Sequence, residues 1–272
     1  MNANGRVRPK KALGQHFLTD MSVARRIAET LDGYVGLPVL EIGPGMGVLT
    51  RFLLDEGHNV KVVEIDNESV EYLTEHFPSL EGRIIADDFL RMRLDTLFDG
   101  KDFAIIGNYP YNISSQIFFR LLEVKDRVPV CSGMLQREVA ERLAASPGTK
   151  ARGILSVLLQ AWYDVEYLFT VSENVFNPPP KVKSGVIRLT RNKVTDLGCD
   201  EGLFKTVVKT TFGMRRKTLR NSLKSLMPQG QFIADEALLA LRPEQLSVDQ
   251  FIRLTNMVAE ARRNTLSAPN AD

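Results

Sequence analysis

The chain has 272 residues, of which 44% are hydrophobic and 25% are charged, and this composition is that of a globular protein rather than a disordered one. Its length leaves room for one large domain and a smaller one. No apolar run approaches the roughly 20 residues that cross a bilayer, and no apolar stretch follows the basic N-terminus. We therefore expect a cytoplasmic protein without a membrane span or an export signal.

The two cysteines, Cys131 and Cys199, lie far apart in the chain. Neither has a histidine or a second cysteine at the spacing of metal ligands. The sequence therefore predicts neither a disulfide framework nor a zinc site, and no metal enters the expected chemistry.

The net charge of +2 hides an uneven distribution along the chain. No acid lies between Glu173 and Asp196, and seven basic residues lie between Glu201 and Asp235 without an acid among them. Acids instead crowd residues 55–102. This asymmetry predicts a polyanionic partner for part of the surface, with a merely solvated basic face as the alternative.

Short apolar runs alternate with helical patterns through the first half of the chain. The predicted strands are VLEIG (39–43), VKVVEID (60–66), RIIAD (83–87), FAIIGN (103–108) and VCSGMLQ (130–136). The predicted helices are residues 47–57, 67–77, 113–123 and 137–145. This alternation is typical of a doubly wound α/β fold with a mostly parallel sheet.

The pattern changes in the second half. Residues 164–171 and 184–190 read as strands without a long helix between them, and we expect them to pair as an antiparallel edge. Beyond about residue 195 the period is helical, in residues 203–227, 235–242 and 247–263. The predicted organisation is a domain at 1–194 with a basic arm at 1–18, a helical domain at 195–263, and a flexible tail at 264–272.

A glycine-rich turn follows the first predicted strand of the sheet, in EIGPGMGVLT (41–50). Gly43, Gly45 and Gly47 let the backbone approach a ligand at a helix N-terminus. The next strand ends at Glu64, followed by Ile65, where a carboxylate suits a ribose diol. The spacing G-x-G-x-G fits a dinucleotide nearly as well as S-adenosylmethionine, and a plain tight turn is the structural alternative.

Acids also follow the third strand of this series. Asp87 and Asp88 end IIADDFL, over the same carboxyl edge of the sheet. Ligands of such sheets bind at this edge, so a carboxylate there can accept a hydrogen bond from an adenine amino group. Ordinary turns carry acids as well, and this alternative is stronger for Asp87 than for Asp88.

The fourth strand ends at Asn108, Tyr109, Pro110 and Tyr111, and turn chemistry explains the Asn and the Pro but not both tyrosines. Asn-x-Pro-aromatic is the pattern of amino-group methyltransferases. The Asn oxygen and the Pro110 carbonyl can accept the two hydrogens of an exocyclic adenine nitrogen, which aims its lone pair at a methyl donor. Tyr111 offers a stacking face for an extruded base.

Two segments outside the sheet complete the predicted site. KKALGQHFL (10–18) is a basic, glycine-containing arm that can fold over a cofactor. NVFNPPPKVKS (174–184) offers Phe176 as a second face for the base, although core packing is the more ordinary use of such a residue, and Lys181 and Lys183 as RNA contacts.

A basic stretch, MRRKTLRNSLKSLM (214–227), lies within the helical region. Arg216, Arg220 and Lys224 recur every four residues, so we expect them to share one face of a helix and to contact an RNA backbone. Solvation of the helix, or pairing with the acids at 55–102, is the alternative.

The sequence resembles the ribosomal RNA small-subunit (16S) adenine dimethyltransferase family of the KsgA type over nearly its whole length. The resemblance is carried by KKALGQHFL, EIGPGMGVLT, VVEID, ADDFL, GNYPYNIS, LQREVAERL, VFNPPPKVKS and FGMRRKTLRNSL. It implies a class I S-adenosylmethionine-dependent methyltransferase with a seven-stranded sheet and a small helical domain that binds RNA. The implied substrate is a pair of adjacent adenosines near the 3′ end of small-subunit RNA, each dimethylated, within an assembling 30S particle.

The resemblance also assigns roles to individual positions. Cofactor contacts fall on His16, Leu18, Gly43, Gly45, Glu64, Ile65, Asp88 and Asn108. The target base is surrounded by Asn108, Pro110, Tyr111 and Phe176. His16 stands where many relatives have Asn, and Tyr109 stands where Leu is frequent. We expect His16 to alter the contacts of the arm, and we expect neither residue to prevent methyl transfer. We expect a monomer.

Two other functions share these features. One is methylation of large-subunit RNA by an enzyme of the macrolide-resistance type, against which the blocks FNPPPKVKSGVIRL and FGMRRKTLRNSL weigh. The other is an RNA-binding assembly or transcription factor that keeps the fold without turnover, against which the intact Asn108-Tyr109-Pro110-Tyr111 weighs.

Overall fold

The structure is a computed structural model, and it describes residues 7–228 and 233–266. The first six residues of the predicted arm, and residues 267–272 of the predicted tail, lie outside this range. The chain divides into two compact units: unit 1 extends to Glu141 and resumes from Tyr163 to Arg191, whereas unit 2 comprises Arg142–Trp162 and the chain from Asn192 onward. Within the described residues, no helix has the length and apolar character needed to span a membrane.

The described part of unit 1 contains nine strands. They are β1 (Phe17–Leu18), β2 (Val39–Ile42), β3 (Val60–Glu64), β4 (Ile84–Ala86), β5 (Ala104–Ile106), β6 (Val130–Gln136), β7 (Tyr163–Val171), β8 (Phe176–Asn177) and β9 (Ser184–Arg191). Seven of them form one sheet in the order β4-β3-β2-β5-β6-β9-β7, and β1 pairs with β8 in a separate antiparallel ribbon.

The large sheet is parallel from β4 to β6 and antiparallel at β9 and β7. The predicted α/β class and the antiparallel edge are therefore confirmed. Strands β2 and β5 are buried along their whole length, which explains why their sequences are apolar, apart from the buried Glu41 in β2, and show no alternation. The strand order reverses between them, so the carboxyl ends of β2, β3, β4 and β5 open onto the crevice where such sheets bind ligands.

The described residues contain ten α-helices. They are α1 (Met21–Ala28), α2 (Val48–Asp55), α3 (Asn67–His76), α4 (Ser114–Glu123), α5 (Arg137–Leu143), α6 (Ile154–Gln160), α7 (Glu201–Gly213), α8 (Leu219–Ser222), α9 (Glu236–Leu239) and α10 (Val248–Leu266). Helices α1 and α2 bury their apolar faces in the main core of unit 1, with Ile27 and Leu53 fully buried.

Helix α6 has no counterpart among the predicted elements. It lies in residues 142–162, which the predicted organisation places in the larger domain, and in the structure it packs against α7 of unit 2. Arg152 anchors this segment, because its Nη1 donates hydrogen bonds to the Ala145 carbonyl at 2.7 Å and to Gln160 Oε1 at 2.6 Å.

The predicted continuous helix through residues 203–227 is wrong. Helix α7 ends at Gly213, the chain turns, and Thr218 is extended at φ −70° and ψ 162° before the short α8. Helix α8 begins afresh because the Leu219 amide donates to the Leu241 carbonyl at 2.8 Å instead of to the last turn of α7. This tertiary contact overrides the helical period of the sequence.

The break separates the three basic residues that we expected on one helical face. Arg216 lies in the turn, Arg220 in α8, and Lys224 in the turn that follows α8. Arg220 forms an ion pair with Glu236 of unit 2 rather than with an acid at 55–102. The three residues therefore do not form a row on one helix.

Candidate active site

The glycine loop between β2 and α2 forms the floor of a cavity at the carboxyl edge of the sheet. Gly45 has φ 57°, and a Cβ at this position would lie 2.8 Å from a ring carbon of Phe17. The glycine therefore allows the arm to lie directly on the loop. Gly43 lies beside the loop that follows β5, where a Cβ would make an ordinary contact of 3.7 Å with Cδ of Pro110, and its φ of 66° is the feature that favours glycine.

Glu64, the last residue of β3, is hydrogen-bonded to this loop. Its side chain is buried, Oε2 accepts a hydrogen bond from the Gly45 amide at 3.2 Å, and Oε1 accepts one from the Asp66 amide at 2.9 Å. A carboxylate has about four acceptor sites, so both oxygens keep capacity for the hydroxyls of a ribose. Burial raises the pKa of Glu64 despite these hydrogen bonds.

Glu41 is a second buried carboxyl group of the same cavity. It lies in β2, and its Oε2 accepts a hydrogen bond from Thr50 Oγ1 at 2.6 Å. Burial raises the pKa of Glu41 to about 8, and the nearby charge of Glu64 adds to the effect. Two acids thus lie under the glycine loop in an apolar setting, where their ionised forms are stabilised by a cationic ligand.

A neighbouring cavity continues toward β4, and both cavities share Gly43, Glu64, Ile65, Pro110 and Leu13. The predicted residues Asp87 and Asp88 line its far side. Asp88 Oδ1 accepts a hydrogen bond from the Leu90 amide at 2.9 Å, which fixes the carboxylate at the strand end.

The loop after β5 brings Asn108 to the edge of the first cavity. A parallel bridge joins Asn108 to Met134 of β6, and the Tyr109 amide donates to the Met134 carbonyl at 2.9 Å. The side chain of Asn108 donates through Nδ2 to the His16 carbonyl at 3.1 Å. Because the amide nitrogen of Asn108 is hydrogen-bonded to the arm, the side-chain oxygen of Asn108 remains available as an acceptor for a substrate.

Tyr111 lines the cavity beside Asn108. Its hydroxyl shares a hydrogen bond of 2.5 Å with Ser184 Oγ, and its ring centroid lies 5.4 Å from that of His16. These contacts fix the plane of the Tyr111 ring. The Pro110 carbonyl already accepts a hydrogen bond from the Ile113 amide at 3.2 Å, which leaves one of its lone pairs for a substrate.

Tyr109 lies below the loop, in the core. Its ring is buried, and its hydroxyl donates to the Ser132 carbonyl at 2.6 Å. The ring fits because Gly107 and Gly133 carry no side chain on the facing strands. Tyr109 therefore supports the loop from inside the sheet.

The other predicted residues take different positions. His16 and Leu18 line the cavity from the arm, whereas Phe176 is buried in the core with 4% of its surface exposed and is paired with Leu18 across the β1–β8 ribbon. Phe176 does not line either cavity. Lys181 and Lys183 are exposed in the segment before β9.

Several residues that shape the site were not predicted from the sequence. Lys10, Gln15 and Asp66 join the arm to the end of β3, Thr50 holds Glu41, and Ser184 holds Tyr111. Only the Gln in the motif GQHFL carried a signal, because an amide side chain in an otherwise basic and apolar arm suggests a specific hydrogen bond. The other contacts depend on tertiary structure.

S-adenosylmethionine fits these residues. The glycine loop leaves room for a ligand at the N-terminus of α2, Glu64 has acceptor capacity for a ribose, and the two buried acids suit the positive charge of a sulfonium.

The chain is similar in sequence to proteins of known families. The family model "Ribosomal RNA adenine dimethylase" matches residues 6–260. A protein of Bacteroides thetaiotaomicron named "Ribosomal RNA small subunit methyltransferase A" is 64% identical, over 97% of this chain and 99% of that protein.

Two solved structures share the fold. A dimethyladenosine transferase from Plasmodium falciparum superimposes with a TM-score of 0.76 at 22% identity, over 92% of this chain and 98% of that one. The 23S rRNA methyltransferase ErmE has a TM-score of 0.69 at 27% identity, over 89% of this chain and 99% of that one. The chain therefore belongs to the ribosomal RNA adenine dimethylase family and is an S-adenosylmethionine-dependent ribosomal RNA methyltransferase.

Proposed function

We propose that the chain transfers methyl groups from S-adenosylmethionine to the exocyclic amino nitrogens of two adjacent adenosines near the 3′ end of small-subunit ribosomal RNA, and dimethylates each. The observation that carries the proposal is the position of Asn108, whose amide donates to the arm and keeps its oxygen free at the cavity edge. The names of its relatives support the small subunit as the source of the RNA.

The proposed chemistry uses hydrogen-bond acceptors to orient the amino group and needs no general base before attack; the methylated nitrogen then loses its extra proton to water. The lone pair of an adenine amino group is delocalised into the ring, and the Asn108 oxygen and the Pro110 carbonyl accept its two hydrogens so that the lone pair becomes available. The ring of Tyr111, fixed by Ser184, offers a face for the base. S-adenosylmethionine, when bound, supplies an electrophilic methyl group whose leaving group is a neutral thioether.

We assign the binding of the cofactor to the residues around the two cavities. His16 and Leu18 would contact it from the arm, Gly43 and Gly45 from the loop, Glu64 and Ile65 from β3, Asp88 from β4, and Asn108 from β5. A stacking role for Phe176 stays a prediction, since contact with a base would require the β1–β8 ribbon to open.

The affinity for S-adenosylmethionine is expected to rise with pH. The pKa of Glu41 is about 8, so this carboxyl group is largely protonated in the free protein at neutral pH, and burial shifts the pKa of Glu64 in the same direction. A positive ligand favours the ionised carboxylates, and binding therefore releases protons. Titration calorimetry should show a roughly tenfold gain in affinity between about pH 6 and about pH 9, and a plateau above that range.

Two controls isolate the cause of this pH dependence. S-adenosylhomocysteine lacks the sulfonium charge and should show a shallower dependence. Glu41→Gln keeps an acceptor for Thr50 but cannot ionise, so it should flatten the curve for S-adenosylmethionine. A dependence that is the same for both ligands would show that these acids do not change protonation on binding.

We assign contacts with RNA to exposed basic residues in both units. Lys181 and Lys183 belong to unit 1, and Arg216 and Lys224 are exposed in unit 2, where neither has an ion pair among the described residues. Arg220 forms an ion pair with Glu236 and is therefore a weaker candidate for an RNA contact than the sequence indicates. We propose residues 195–263 as a region that binds RNA.

Arg216→Ala is expected to weaken binding to a small-subunit particle and to reduce its salt slope by about one. Arg220→Ala is the matched control, and it should weaken binding less because its guanidinium is already paired with Glu236. Filter binding across a salt series measures both quantities. Equal losses for the two variants would contradict the assignment.

The proposed reaction is tested by mass spectrometry of RNA after incubation with methyl-labelled S-adenosylmethionine. Two dimethylated adenosines in the 16S RNA of an immature small-subunit particle are the expected result. Label in 23S RNA instead would indicate a macrolide-resistance type of enzyme, and particle binding without label would indicate a factor that does not turn over. We also propose that the chain acts as a monomer in the cytoplasm on an assembling 30S particle.

A further inference from the structure

The arm that lines the cavity is tied to the end of β3 through one carboxylate, that of Asp66. Lys10 Nζ forms an ion pair with Asp66 Oδ1 and a second one of 3.2 Å with Glu68 Oε1. Gln15 Nε2 donates to Asp66 Oδ2 at 3.1 Å. The Lys10 amide donates in turn to Gln15 Oε1 at 2.8 Å, so both arm residues reach Asp66 as one hydrogen-bonded group.

Asp66 is almost completely shielded from water, with 1% of its side chain exposed. A carboxylate in such a place is costly unless it is paired. Burial raises the pKa of Asp66, but the hydrogen bonds from Lys10, Gln15 and Ser69 outweigh burial and leave the pKa below its ordinary value. Without the arm, the carboxylate would keep only Ser69 among these donors.

The position of Asp66 links the arm to the proposed ribose contact. Its amide donates to Glu64 Oε1 at 2.9 Å, and the other oxygen of Glu64 accepts the Gly45 amide. Residues 13–18 of the arm, which end in β1, form one wall of the cavity. The far end of that wall is held separately, because the His16 carbonyl accepts from Asn108.

We propose that Lys10, Gln15 and Asp66 form a latch, and that they are positioning residues that hold the arm over bound S-adenosylmethionine and so set how long the cofactor stays. The inference rests on the proposed cofactor site. When the latch is open, residues 10–15 lose their polar contacts with Asp66, while the His16–Thr19 end stays held by Asn108 and by the Val175 carbonyl, and the wall formed by residues 13–15 no longer covers the ligand as tightly. The latch therefore acts mainly on the rate of dissociation.

The first test measures dissociation of S-adenosylmethionine from the full chain by stopped-flow displacement. Lys10→Met and Gln15→Ala are each expected to speed dissociation by roughly tenfold, the scale of one lost hydrogen bond to a charged group, with a nearly unchanged association rate. Lys11→Met is the matched control, since Lys11 is exposed and has no ion pair within the described residues. Rates equal to that of Lys11→Met would overturn the proposal.

A second test examines the arm without cofactor. In hydrogen exchange of the cofactor-free protein, the peptide covering residues 10–18 should exchange faster in the two latch variants than in Lys11→Met. Faster exchange with unchanged dissociation would show that the arm opens but does not retain the cofactor, and the proposal would be wrong. Failure of the unaltered protein to bind S-adenosylmethionine at all would instead count against the proposed function.

A double-mutant cycle separates the latch from general weakening of the fold. If Lys10 acts through Asp66, the effects of Lys10→Met and Asp66→Asn on the dissociation rate should not multiply, and the double variant should resemble the stronger single variant. Effects that multiply would show that the two residues act independently and would refute the latch.

Discussion

Replacing Asn108 with alanine is expected to slow methyl transfer by about 100- to 1,000-fold, the scale of losing one preorganised hydrogen-bonding group at a reacting centre. The side-chain oxygen that would orient the amino group is removed, whereas Glu64, Asp88 and the glycine loop remain to hold the cofactor. Single-turnover methylation of RNA measures the rate, and calorimetry with S-adenosylmethionine should show an affinity changed by about threefold at most.

Asn108→Asp tests which end of the amide matters. It keeps an acceptor oxygen but cannot donate to the His16 carbonyl, so the arm loses one attachment while the proposed acceptor survives. We expect a rate between those of the alanine variant and the unaltered protein. A near-normal rate for Asn108→Ala would show that another group orients the base, and the proposed mechanism would be wrong.

Gly133→Ala is expected to have the largest effect on stability, a loss of about 3 kcal/mol or more in the free energy of unfolding. A Cβ at this position would overlap the Gly107 carbonyl oxygen and would lie 2.6 Å from the Tyr109 ring. The Gly107 carbonyl oxygen is a backbone atom directly after β5, so it cannot move without disturbing the sheet. Urea unfolding monitored by circular dichroism measures the change.

Gly36→Ala is the matched control for this substitution. Nothing lies within 4 Å of the Cβ that it would add, so stability should change by about 0.5 kcal/mol at most. Combining Gly133→Ala with Tyr109→Leu should restore only part of the loss, because the contact with the Gly107 oxygen remains. Equal stability of the Gly133 and Gly36 variants would show that the sheet at this point is not close-packed.

Much of the sheet could be predicted because its strands are short, apolar and separated by helical periods. The turn after β2 and the acid at the end of β3 were recognisable for a similar reason, since parallel strands place their carboxyl ends at one edge. The confirmed antiparallel pairing of β7 with β9 also followed from the sequence, because the chain between them contains no long predicted helix.

What escaped prediction depends on contacts between distant segments. The period of residues 203–227 is helical throughout, but the bond from Leu219 to Leu241 stops the helix. A charged residue such as Lys10 has no periodicity that points to Asp66, 56 positions away. Burial also keeps Glu41 protonated at neutral pH. In the sequence of β2, Glu41 appears only as one polar residue in an apolar run, and that pattern does not reveal its protonation.

The pairing of β1 with β8 affects the order of events during translation. Thr19 and Val175, which are hydrogen-bonded next to this ribbon, are 156 residues apart in the chain. At the usual pace of about 5–20 residues per second, roughly 8–30 seconds separate the synthesis of the two partners. A nascent chain that ends before β8 lacks the strand that pairs with β1 and the Val175 carbonyl that accepts from Thr19. The cofactor cavity therefore gains the last attachment of its arm wall only after β8 has been synthesised.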